Sequence, residues 1–235
     1  MNNLKGVGVA LVTPFNEDLS VDFDSLTRLI EYNIENGTNY LVVLGTTAEA
    51  ATLSKEEKKE VIKHVIKINS KRLPLVLGIG GNNTLEVKKQ IEETDLSDFD
   101  AVLSVSPYYN KPNQEGLYQH YKALAETGKQ IIIYNVPGRT GQNIEAATTV
   151  RLAKEFPNLF MIKEACPNIN QYFDILRTKP EGFSLVSGDD EFALPVTLAG
   201  GDGVISVIGQ GYPKEFSTMV QLAFEGKIKE AYQIH

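Results

Sequence analysis

Ile131–Thr140 reads IIIYNVPGRT, and Phe160–Ala165 reads FMIKEA. Each is an apolar run that ends in a chemically useful residue, Tyr134 in the first and Lys163 in the second. Short apolar runs bounded by breakers read as buried parallel strands. A lysine at the end of such a strand lies at the rim of a desolvated pocket, where its charged form is penalised. That is one way to make an amine nucleophilic enough to form an imine.

Working outward, six more runs share this character: Val7–Val12, Tyr40–Leu44, Leu75–Ile79, Ala101–Val105, Ser184–Ser187 and Gly203–Val207. Their spacing, roughly 30 residues, is that of a β-α unit. The stretches between them read as helices. The clearest is Ser54–Asn69 (SKEEKKEVIKHVIKIN), where Ser54 and Glu57 have capping-box spacing and Val61, Val65 and Ile68 form an apolar face. Asp22–Asn36, Thr84–Thr94, Glu115–Thr127, Ile144–Phe156, Ile169–Thr178, Asp190–Leu198 and Pro213–Glu225 supply the others. Eight alternating pairs predict a (β/α)8 TIM barrel over residues 1–225. Gly226–His235 reads as the start of a further helical region that is cut short.

The 235 residues carry a net charge of −7 with no basic cluster, so nucleic acid is not an expected partner. No apolar run approaches the ~20 residues of a membrane helix, and the N-terminus lacks a signal-peptide pattern. Cys166 is the only cysteine, which excludes an internal disulfide and fits a cytoplasmic setting. His64, His120 and His235 are scattered without metal-site spacing. Gly78–Asn83 (GIGGNN) only half matches a dinucleotide fingerprint, and no phosphate-binding loop or nucleophile elbow is present.

Barrel active sites lie at the C-terminal ends of the strands. Gly45-Thr46-Thr47-Ala48-Glu49 falls there after the second strand, and Ser106-Pro107-Tyr108-Tyr109-Asn110 after the fourth. Tyr134 ends the fifth with Arg139 just beyond it, Lys163 ends the sixth, and Gly188-Asp189-Asp190 follow the seventh. Ile205 lies in the eighth. Each residue also has a bland reading. Lys163 could snorkel into solvent or pair with Glu164. Tyr134 could be a core tyrosine. Thr46 and Thr47 could terminate a strand, Tyr108 and Tyr109 could pack a loop, and Arg139 could be solvated. Asp189 and Asp190 could simply start a helix, and Cys166 could be a small buried thiol.

GTTAEAATLS (Gly45–Ser54), SPYYNKPNQEGLYQHY (Ser106–Tyr121), YNVPGRT (Tyr134–Thr140), IKEA (Ile162–Ala165) and SGDDEFALPVTLAGGDGVISV (Ser187–Val207) together resemble the 4-hydroxy-tetrahydrodipicolinate (dihydrodipicolinate) synthase family. That family stands within the N-acetylneuraminate lyase superfamily of Schiff-base aldolases. The resemblance spans essentially the whole chain. It implies condensation of pyruvate with L-aspartate 4-semialdehyde in lysine and diaminopimelate biosynthesis, with no metal or organic cofactor. It implies Lys163 as the imine-forming residue and Tyr134 as proton shuttle, relayed through Thr46 and a Tyr109 contributed by a neighbouring subunit of a homodimer or homotetramer. Thr46 and Thr47 would hold the pyruvate carboxylate and Arg139 that of the semialdehyde. Gly188 and Ile205 would line the imine pocket.

Tyr108, Asn82 and Glu86 match a regulatory lysine site of the family. Lys55 and Lys58 replace two histidines there, and Ala50 a serine. Added cations disfavour a cationic effector. Ala48 stands where family members often have glycine. The resemblance implies a C-terminal helical extension, of which these 235 residues carry only the first turns. The alternatives are a sibling aldolase of the N-acetylneuraminate or 2-keto-3-deoxy-gluconate type, or a truncated barrel that binds pyruvate without turnover.

Overall fold

The computed structural model describes residues 4–235. Its strands are β1 (Gly6–Ala10), β2 (Tyr40–Val43), β3 (Leu75–Gly78), β4 (Ala101–Val105), β5 (Ile131–Asn135), β6 (Leu159–Glu164), β7 (Ser184–Ser187) and β8 (Gly203–Ser206). They pair in chain order, all parallel, and β8 returns to β1 to close the barrel. The predicted (β/α)8 architecture is the one that forms.

The helices are α1 (Phe23–Glu35), α2 (Lys55–Asn69), α3 (Thr84–Glu93), α4 (Gln114–Ala125), α5 (Pro137–Thr140), α6 (Ala146–Glu155), α7 (Ile169–Thr178), α8 (Ala193–Leu198), α9 (Pro213–Phe224) and α10 (Ile228–Ile234). Arg139 lies in the one-turn α5, just after β5. The terminal stretch folds as α10, which packs on α9 with Ala231 fully buried.

The strands are apolar on both faces because both are covered. Val42, Val76, Leu103, Ile132 and Val186 point into the barrel. Their neighbours Leu41, Leu77, Val102, Ile133 and Leu185 point out against the helices. This period-2 alternation assigns each strand-end residue to one face. The β8–β1 seam needs a residue without a side chain: Gly203 holds φ +122°, and a Cβ there would meet the Gly6 carbonyl oxygen at 2.0 Å.

Helix α2 has the predicted capping box. Ser54 Oγ accepts from Glu57 N at 3.1 Å, and Glu57 Oε2 accepts from Ser54 N at 2.7 Å. Its buried face departs from expectation at one place. Val61 and Val65 are buried, but Asn69 takes the third position while Ile68 is only partly covered. Asn69 is tolerated there because its amide bonds the Leu73 backbone at both ends.

Candidate active site

Tyr134 and Lys163 are register partners on the adjacent strands β5 and β6, side by side in the same layer. Both point into the barrel. Lys163 is 2% exposed, so it does not snorkel outward. Its Nζ lies 4.4 Å from the Tyr134 ring centroid. The Tyr134 hydroxyl reaches Thr46 Oγ1 at 3.4 Å. Thr46 and Thr47 are half-buried in a 3₁₀ turn, Thr46–Ala48, that opens after β2. Leu44 ends that strand by taking a left-handed φ of 55°.

Gly188 sits directly against the lysine. A Cβ at this position would lie 2.9 Å from Lys163 Cε and 3.0 Å from Lys163 Cγ. The missing side chain is therefore the room that Lys163 occupies. Ile205, fully buried, belongs to the same inward-facing cluster as Tyr134. Lys163, Tyr134, Thr46, Gly188 and Ile205 thus converge at the C-terminal mouth of the barrel.

The alternative in which Lys163 pairs with Glu164 does not occur. Successive residues on a strand face opposite sides, so Glu164 points out between the barrel and the helices. There it is fully buried. Glu164 Oε1 accepts from Asn135 Nδ2 and Cys166 N, each at 2.8 Å, and Oε2 accepts from Gln171 Nε2 at 2.8 Å. Burial pushes its carboxyl up to about 7 despite these donors. Asp190 also does more than start a helix. Its Oδ2 accepts from Val207 N at 3.2 Å and Ile208 N at 2.9 Å, tying the loop after β7 to the loop after β8. Ser206 Oγ donates to the same carboxylate. Sequence reasoning missed the roles of Asn135, Gln171 and Asp190. The alternation rule could have found Glu164, because an inward Lys163 requires an outward, helix-covered acid.

Ala48 is buried, and its carbonyl accepts from Thr13 Oγ1 at 2.7 Å. The left-handed conformation falls on Glu49, with φ 53°, rather than on Ala48, so the alanine methyl costs no backbone strain. Cys166 is buried, and burial raises its thiol above the usual range, as suits an inert core thiol.

Other candidates stand apart within the single chain. Arg139 is exposed, and among the described residues no carboxylate pairs with it. Tyr109 is 90% exposed and holds φ 73°, uncommon for a residue with a side chain. Tyr108 is 41% exposed, so of the two only Tyr109 stands clear of its loop. Asn82 and Glu86 are exposed too. The Asn82 carbonyl accepts from Asn110 Nδ2 at 3.1 Å, which joins the loops after β3 and β4. Among the described residues no group of three or more His, Cys, Asp or Glu side chains is placed to hold a metal. Among the described residues no helix is long and apolar enough to cross a membrane.

A closed barrel whose mouth carries a buried lysine beside a hydroxyl-bonded tyrosine defines the class, an aldolase-type lyase on a (β/α)8 scaffold. The dihydrodipicolinate synthetase family model matches residues 3–235, and the chain belongs to that family. It is 58% identical over 231 residues to the 4-hydroxy-tetrahydrodipicolinate synthase of Flavobacterium psychrophilum, covering 98% of this chain and 79% of the relative. Among solved structures, it superposes on dihydrodipicolinate synthase from Thermotoga maritima with a TM-score of 0.96 at 39% identity, covering 100% of this chain and 80% of that one. The chloride-inhibited dihydrodipicolinate synthase of Acinetobacter baumannii, solved in complex with pyruvate, gives a TM-score of 0.94 at 44% identity, covering 98% and 79%.

Proposed function

We propose that the chain condenses pyruvate with L-aspartate 4-semialdehyde to 4-hydroxy-tetrahydrodipicolinate, a step of lysine and diaminopimelate biosynthesis, through an imine on Lys163. The observation that carries this reading is the burial of Lys163 against Tyr134, with Gly188 leaving space for its side chain. Lys163 Nζ attacks the pyruvate carbonyl, and loss of water gives the imine. The imine accepts the electron pair left when a methyl proton departs, and the resulting enamine carbon attacks the aldehyde. Attack of the semialdehyde amine on the imine carbon closes the ring and frees Lys163. Tyr134 moves protons in these steps, sharing charge with Thr46 through their hydroxyl contact.

Thr46 and Thr47 hold the pyruvate carboxylate, and Gly188 and Ile205 line the space around the imine. Arg139, exposed and unpaired by any carboxylate of the described chain, is free to take the semialdehyde carboxylate in a bidentate grip. Tyr109 completes the relay from a neighbouring copy in a homodimer or homotetramer. Its 90% exposure leaves it available to do so. Tyr108, Asn82 and Glu86 form a candidate effector surface. We assign catalysis to a barrel unit over residues 1–225 and read residues 226–235 as the start of a C-terminal helical region packed on it, in a cytoplasmic setting.

Intact-mass measurement after incubation with pyruvate and borohydride tests the nucleophile. One reduced adduct mapped to Lys163 is expected, and none in Lys163→Ala; a trapped adduct in that variant would overturn the assignment. Turnover with aspartate semialdehyde separates this reading from a sibling aldolase, which would form the adduct without that turnover.

A further inference from the structure

Arg139 lies outside the sheet, between Asn135 at the end of β5 and Ile144 ahead of α6. Among the described residues its side chain has no carboxylate partner, so its position is set by its backbone. That segment is closed at its base. Asn135, fully buried, accepts from Ile144 N at 2.9 Å through Oδ1 and donates to Asn143 Oδ1 at 2.8 Å through Nδ2. The closure is then anchored to the elements behind it. Asn135 Nδ2 also donates to Glu164 Oε1 on β6. Gln171 on α7 bridges the two sides, donating to Glu164 Oε2 at 2.8 Å and accepting from Asn143 Nδ2 at 2.7 Å.

Burying a carboxylate is costly, and among the described residues no lysine or arginine pairs with this one. Lys163 does not need the network, because β6 is held by ladders to β5 and β7 on either side. The segment carrying Arg139 has no ladder of its own. A fully bonded buried network fixes one arrangement of what it joins. We infer that the network of Glu164, Asn135, Asn143 and Gln171 is a positioning device for Arg139, and through it for the carboxylate of the aldehyde substrate. The inference rests on the reading of Arg139 given above.

Steady-state kinetics and borohydride trapping on Asn143→Ala and Glu164→Gln test it, each in the parent and in an Arg139→Ala background. Both single variants are expected to raise KM for the semialdehyde roughly tenfold, because a misplacement on the order of 1 Å can cost about 100-fold. KM for pyruvate and adduct formation on Lys163 stay unchanged. Arg139→Ala raises the same KM, and adding Asn143→Ala to it has no further effect. Three results overturn the inference. One is a semialdehyde KM that neither single variant changes. Another is a full additional effect in the Arg139→Ala background. The third is a loss of pyruvate adduct that matches the loss of turnover, which marks a merely structural role. If Arg139→Ala itself leaves the semialdehyde KM unchanged, the reading of Arg139 fails and the network inference falls with it. If Arg139→Ala raises KM and the network variants do not, only the network inference falls. Should Asn143→Ala fail to fold, Glu164→Gln alone carries the same comparison.

Discussion

Gly188 decides how much room the reactive lysine has. A methyl at this position would stand 2.9 Å from both Lys163 Cε and the Ala165 Cβ, closer than packed carbons approach. To relieve the contact the lysine has to shift its end away from Gly188, and with it the position of Nζ, now 4.4 Å from the Tyr134 ring centroid. Gly188→Ala is therefore expected to slow pyruvate adduct formation on Lys163 by about 10- to 100-fold while the barrel stays folded, since a small displacement of a reacting group has that kind of cost. Time-resolved borohydride trapping with circular dichroism on the same sample checks it. An unchanged trapping rate would mean that Lys163 is not held against Gly188.

At the scale of elements, the alternation of β6 puts Lys163 in the barrel and Glu164 behind it, and the second placement has a thermodynamic signature. Burial raises the Glu164 carboxyl from 4.5 to about 7. Helix α4 contains an opposite case: His120 is buried, bonded at Nδ1 to Thr84 Oγ1, and burial lowers it from 6.5 to about 4. Between 4.5 and 7 the folded chain holds more protons at Glu164 than the unfolded chain, so this contribution to stability falls as pH rises. Between 4 and 6.5 the folded chain holds fewer protons at His120, so that contribution grows as pH rises. Each displacement corresponds to about 3 kcal/mol, and over their shared range the two oppose each other. Glu164→Gln is expected to uncover the His120 slope and lose stability on acidification from pH 6.5 to 4.5. His120→Gln is expected to gain stability over the same change. Urea midpoints at three pH values decide the matter; equal slopes in Glu164→Gln and the parent would refute the opposition. Half-buried capping carboxylates such as Asp22 and Glu57, held below their usual range by hydrogen bonds, act at lower pH.

The strands and the long helices were legible because each carries its own periodic signal. Ser54 and Glu57 marked the start of α2, and Ile169–Thr178 was bounded correctly from pattern alone. The one-turn α5 was not legible, because four residues beginning Pro-Gly carry no periodicity. The same limit applies within the site. Lys163, Tyr134 and Thr46 could be grouped as candidates because strand ends converge in any such barrel. The bonds from Glu164 to Asn135 and Gln171 join residues 29 and 7 positions apart, and no local pattern encodes which polar side chains meet behind a sheet.

At the scale of the whole molecule, assembly turns on Tyr109. A phenol that is 90% exposed on a left-handed backbone is an unfavourable arrangement for an isolated chain. It becomes reasonable if the side chain is inserted elsewhere, and a two-fold interface would insert it reciprocally. Tyr109→Phe then weakens the site of the neighbour rather than its own, whereas Lys163→Ala disables only its own. Mixing the two variants under conditions of subunit exchange creates dimers in which one site has both Lys163 and a donated Tyr109. Random exchange leaves roughly half the dimers mixed, each with one complete site of two. Activity is therefore expected to rise above the average of the separate variants, toward about a quarter of the parental value. Native mass spectrometry verifies that mixed dimers are present. If they are present and activity does not rise, Tyr109 acts within its own chain or not at all. The exposure of its side chain would then need a different cause.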